Sequence, residues 1–86
     1  MEVYKKELYQ TSDFGEASAL VYCEHIPEKM IRDKYSQRVT FFFEDNEDVQ
    51  STLASYWNHE LVADLKGYYE VQQSLKKDMR NLIESV

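Results

Sequence analysis

At 86 residues, with 16 Asp and Glu against 10 Lys and Arg for a net charge of −6, the chain has room for one small domain and for neither a second core nor a large cleft. Its 43% hydrophobic and 14% aromatic content, with only two glycines and one proline, excludes a disordered or fibrous chain, and the lack of any run of about 18 apolar residues excludes a membrane-spanning helix. The acidic total argues against non-specific binding to a phosphate backbone, which needs several cations on one face.

The first predicted element is a short strand around Glu7 to Gln10. Thr11, Ser12 and Asp13 are good N-cap residues, and Asp13 followed by Glu16 reads as a capping box, so a helix starts here and turns Phe14, Ala17, Leu20 and Val21 inward. Pro27 closes that region. The run EKMIRDKYSQRVTFFFE then reads as a β-hairpin, with a first strand Met30 to Tyr35 of edge character and a turn near Tyr35 to Gln37. In the second strand Val39, Phe41 and Phe43 share one face while Thr40 and Phe42 take the other, the pattern of a central strand. Asp45 and Asn46 cap the next helix, and Glu47 and Asp48 occupy its first turn, where the helix dipole favours carboxylates. Val49, Thr52, Leu53, Tyr56 and Trp57 form its amphipathic stripe, read as core.

Asp64 caps the last helix, residues 65–86, on which Leu65, Tyr68, Gln72, Leu75, Met79, Leu82 and Val86 step by 3 and 4 in a heptad seam widened by Tyr69, Val71 and Ile83. A helix of 22 residues is about 33 Å long, so its C-terminal half is expected to run partly past a compact body. The whole is expected to be a single α+β domain, 1–86, with the order β-α-β-β-α-α, in which a small three-stranded, mainly antiparallel sheet is covered by helices.

The residue set holds no strong chemical motif. Gly15 and Gly67 form no phosphate-binding loop, and Cys23, His25, His59 and Glu60 lack the paired spacing of a zinc site. No catalytic, cofactor-binding or metal-ligating residue is assigned, and no enzyme activity is expected. A single cysteine excludes an intrachain disulfide and points to a reducing compartment, and the first ten residues hold no apolar leader segment, so a cytoplasmic protein is expected. Residues 1–43 hold six Lys/Arg against seven Asp/Glu, while residues 44–86 hold four against nine, so the second half is the acidic one. Lys29, Arg32, Lys34 and Arg38 gather around the hairpin but are interleaved with Glu28 and Asp33, which favours a solvated mixed-charge surface over a nucleic-acid interface.

The strings Tyr9-Gln10-Thr11-Ser12-Asp13, Arg38-Val39-Thr40-Phe41-Phe42-Phe43-Glu44-Asp45 and Tyr56-Trp57-Asn58, followed by Tyr69 and by Leu75-Lys76, resemble a family of short uncharacterised bacterial and phage-borne proteins. The resemblance implies a cytoplasmic protein of a bacterium or mobile element and brings no activity, cofactor or catalytic residue with it. Two functions follow as expectations. The first is a protein-interaction module using the last helix at Tyr68, Gln72, Leu75, Met79, Leu82 and Ile83, with a homodimer through residues 65–86 as the self-pairing version. The second is an acidic inhibitor of a defence or DNA-processing enzyme that presents Glu44, Asp45, Glu47 and Asp48 in place of nucleic-acid phosphates.

Overall fold

The structure, a computed structural model, describes residues 7–84. Six elements follow in the order β1 (Leu8–Thr11), α1 (Phe14–Tyr22), β2 (Lys29–Arg32), β3 (Val39–Glu44), α2 (Glu47–Trp57) and α3 (Leu65–Glu84). The α+β class, the element order and the long C-terminal helix are those the residue pattern predicts. The sheet runs β1-β3-β2 with both pairings antiparallel, so the alternating strand is indeed central.

Register fixes the two faces. Tyr9 lies opposite Phe43, Thr11 and Met30 opposite Phe41, and Arg32 opposite Val39, so these side chains share the inner face. Phe41, Phe43 and Val39 are buried there against Ala17 and Leu20 of α1, Val49 and Leu53 of α2, and Leu75 of α3. The outer face is exposed at Leu8, Gln10, Lys29, Ile31 and Glu44, and the Lys29 ammonium lies 4.9 Å from the centre of the half-buried Phe42 ring.

β2 is shorter than its sequence suggests and ends at Arg32 rather than Tyr35. The cause is Asp33, whose side chain accepts from the Tyr35 amide at 3.0 Å while its own amide donates to the Arg38 carbonyl at 2.8 Å, closing a four-residue turn before the strand can continue. The three helix starts follow local chemistry. Asp13 accepts from the Glu16 amide (2.9 Å), Asn46 from the Val49 amide (2.8 Å), and Asp64 from the Gly67 amide (2.7 Å).

The C-terminal half of the last helix stays on the body through its described residues. Met79, Leu82 and Ile83 pack against the core, and the Arg32 guanidinium donates to the Ile83 carbonyl at 2.9 Å. The expected overhang is therefore not seen within residues 65–84, because β2 extends far enough to hold the C-terminal turn. Val86, the last position of the seam, lies outside the described residues.

Candidate docking surface

α1 has no exposed residue, and the groups around its first turn make an extended polar arrangement. Glu16 is 5% exposed. One carboxylate oxygen accepts a short hydrogen bond from the Tyr9 hydroxyl and the other accepts from the Trp57 indole at 2.7 Å, tying β1, α1 and α2 together. Glu16 thus leaves the N-cap to Asp13 and does not complete the reciprocal half of the capping box. The Tyr68 hydroxyl donates to the Gly15 carbonyl at 3.2 Å, and the Tyr22 hydroxyl accepts from the Asp64 amide at 2.9 Å, which fixes the start of α3 on α1. Tyr22 and Tyr68 meet edge to face at 5.8 Å, as do Tyr56 and Trp57 at 5.1 Å.

Above this tyrosine layer the 58–64 connection leaves a groove of about 420 Å³ between α2 and α3, lined by Tyr56, His59, Leu61, Ala63, Leu65 and Tyr68. Its surroundings are unusually apolar for a surface: Trp57 is 57% exposed, Val62 88%, Leu65 89% and Tyr69 60%. Leu65 lines the groove, Val62 stands between two lining residues, and Trp57 and Tyr69 each adjoin a lining tyrosine. Burial raises the phenol pKa of Tyr56 first, with the charges of Asp13 and Glu16 adding to it. Burial likewise raises Tyr68, with a Ser18 hydrogen bond acting the other way and Asp13 adding to the rise. A second recess of about 400 Å³ lies between α1, β2 and α3, with Val21, Met30, Val71 and Leu75 among its lining, but among its lining residues Ile26 alone is a largely exposed aliphatic side chain.

The candidate residues on α3 are placed differently. Leu75 is 4% exposed and belongs to the core; Val71, Met79, Leu82 and Ile83 pack against it, and Tyr68 and Gln72 are half-buried. That face is occupied by the chain's own sheet and helices. Leu65, the first member of the seam, is the exception and points to solvent, and Trp57, which the α2 stripe assigned to the core, is only partly covered while its indole N–H reaches Glu16. Glu44, Asp45, Glu47 and Asp48 are all exposed and gather at the β3–α2 corner, where the Asp45 carboxylate also accepts from the Gln50 side chain at 2.8 Å. The basic residues of the hairpin do not form a common surface, since Arg32 is engaged with the Ile83 carbonyl and Lys29 covers Phe42.

Cys23 and His25 both lean on Thr52, the imidazole Nε2 lying 3.1 Å from its hydroxyl, whereas His59 sits in the groove at the far end of α2. Burial raises the Cys23 thiol pKa and the Thr52 hydrogen bond offsets part of that rise. Among the described residues no group of three or more His, Cys, Asp and Glu is placed to hold a metal ion, and no helix is long and apolar enough to cross a membrane. A signal for an exposed apolar surface was present in NHELVAD, where Leu61, Val62 and Ala63 stand together in a connection rather than on a helix face.

A family model described as a domain of unknown function, DUF5659, matches residues 6–81. The chain belongs to that family. No curated protein and no solved structure matches it.

Proposed function

We propose that this DUF5659 member is a small docking module, acting by binding a protein partner rather than by catalysis, and that its contact surface is the α2–α3 corner. The carrying observation is that Leu65, 89% exposed, lines the groove with Leu61, Ala63, Tyr56 and Tyr68, while Trp57, Val62 and Tyr69, also largely exposed, adjoin lining residues in the sequence. Val62 and Leu65 are not needed to close the core, which is formed by Phe41, Phe43, Leu20, Leu53 and Leu75 among others. The resemblance to bacterial and phage-borne proteins and the single cysteine support a bacterial cytoplasmic setting, on a chromosome or a mobile element.

The test is the double variant Val62→Ser, Leu65→Ser, compared with the parent by in-cell cross-linking and by denaturant unfolding. The expected result is loss of the cross-linked partner with an unchanged unfolding curve. Retention of the same partner at the same yield defeats the reading.

A second reading rests on the exposed Glu44, Asp45, Glu47 and Asp48 at the β3–α2 corner, which would present carboxylates to a Lys/Arg-lined nucleic-acid channel. Binding of that kind weakens steeply with salt and competes with DNA, whereas apolar docking does neither. A partner whose cross-linking is insensitive to both removes this alternative.

A further inference from the structure

We propose that the α2–α3 groove receives a cationic, aliphatic segment of a protein partner, an Arg or Lys flanked by Leu- or Val-type side chains. This rests on the docking-module reading and gives its partner a chemistry. The walls supply the aliphatic half of the match, with Leu61, Ala63 and Leu65 lining the groove and Val62 standing exposed between the first two. The cationic half is supplied by what surrounds the tyrosines. Tyr56 and Tyr68 present aromatic rings, on which a guanidinium or ammonium is attracted by the ring quadrupole.

The charges of the neighbouring elements are weighted the same way. Asp13, the cap of α1, lies with the Tyr56 hydroxyl against Gly15, and Glu16 is held under Trp57. Glu60 and Asp64 belong to the connection that forms the groove wall, and both residues are exposed. On α3, Lys66 is the one cation of the first turn and Glu70 follows it one turn later. Burial is the main cause of the raised Tyr56 phenol pKa, and the charges of Asp13, Tyr68 and Glu16 add to it in that order.

The same balance disfavours other occupants. A second copy carries the same charge of −6, and a two-fold interface centred here would set Glu60 and Asp64 against their own counterparts. Nucleic acid and anionic lipid headgroups meet the same repulsion.

The test uses the whole chain and its single tryptophan, Trp57, whose ring packs edge-on against the groove-lining Tyr56. Three short capped peptides of alternating Arg and Leu, Ser and Leu, or Glu and Leu are titrated while Trp57 emission is followed. The expected result is a saturable change with the Arg/Leu peptide, binding at least about tenfold weaker with Ser/Leu, and none with Glu/Leu. Glu60→Lys should weaken Arg/Leu binding, and Leu65→Ser should reduce it with the circular dichroism unchanged.

Equal binding of Ser/Leu and Arg/Leu, or a preference for Glu/Leu, overturns the charge assignment while the docking module stands. Arg/Leu binding that Leu65→Ser leaves untouched is diffuse charge attraction and also overturns it. No response to any peptide overturns the inference, and the cross-linking of the Val62, Leu65 double variant then judges the module reading separately. A dimer in sedimentation that Leu65→Ser dissolves assigns the groove to a second copy instead.

Discussion

Glu16 is a buried carboxylate held, among the described residues, by two neutral donors, the Tyr9 hydroxyl and the Trp57 indole. Removing either donor leaves the charge under-solvated, so Tyr9→Phe is expected to cost about 1.5–3 kcal/mol in denaturant unfolding. The same pair sets a pH dependence. Burial first, then the hydrogen bond to Glu16 and its charge, push the Tyr9 phenol from 10.0 up to about 12. A phenol whose folded pKa is raised contributes stability that is intact below pH 10 and lost as the pH climbs toward 12. Unfolding curves across that window should fall more steeply for the parent than for Tyr9→Phe; parallel curves would refute the assignment. Residue spacing alone gave Glu16 to the capping box, because Asp-x-x-Glu has the same appearance whether or not the carboxylate turns back. The clue lay elsewhere: FGEASALVY carries one charge and no polar face, so the whole helix had to be enclosed and its single carboxylate had to find partners inside. Gly15 belongs to the same close packing. A Cβ built there overlaps the Tyr56 hydroxyl, so Gly15→Ala should destabilise the parent but gain up to about 1 kcal/mol of helix propensity in a Tyr56→Phe background. A double-mutant cycle reads the change of sign directly.

At the scale of elements, helix beginnings were legible and helix ends were not. Asp13, Asn46 and Asp64 are ordinary caps whose side chains accept the amides three residues on. The ends of α1 and α2 are both Schellman turns. After α1 the His25 amide donates to the Leu20 carbonyl (2.9 Å) and the Glu24 amide to Val21 (2.9 Å); after α2 the Glu60 amide donates to Ser55 (2.8 Å) and the His59 amide to Tyr56 (3.3 Å). The left-handed position is filled by Glu24 (φ 70°) and His59 (φ 60°) instead of glycine, so neither stop carries its usual marker. α1 accordingly ends at Tyr22, well before Pro27 forces the matter. Glu24→Gly should relieve that backbone cost and raise stability by roughly 0.5–1 kcal/mol after the larger entropy of the unfolded glycine is subtracted. A lower midpoint in urea would mean that the Glu24 side chain contributes more than its backbone costs. Strand ends show the same asymmetry. The alternation of β3 was plain in Val39, Phe41 and Phe43, whereas the early end of β2 depends on one side-chain acceptor, Asp33, that any solvated aspartate resembles.

For the whole molecule, the seam of α3 poses the sharpest question of what periodicity can and cannot say. Leu65 and Leu75 both belong to the seam, yet the first is 89% exposed and the second 4%. Spacing places both on one stripe, but only topology decides which part of that stripe meets the sheet. Here α3 starts beyond α1, anchored by Tyr22 on Asp64, and reaches the core only after two turns, so its first turn faces solvent and borders the groove. The consequence is quantitative. A domain of this size is stabilised by roughly 4–13 kcal/mol in total, and Leu75→Ala, which opens a cavity in the buried core, should remove about 2–4 kcal/mol of it. Leu65→Ala should change stability by less than about 0.5 kcal/mol, because the side chain is already in water. Both values come from urea titrations of the two single variants. A large cost at Leu65 would mean that the side chain is covered in solution, which requires a second copy over the groove; a small cost at Leu75 would mean that the core does not close on α3. The predicted pair of values assigns one end of the seam to folding and leaves the other free for a partner.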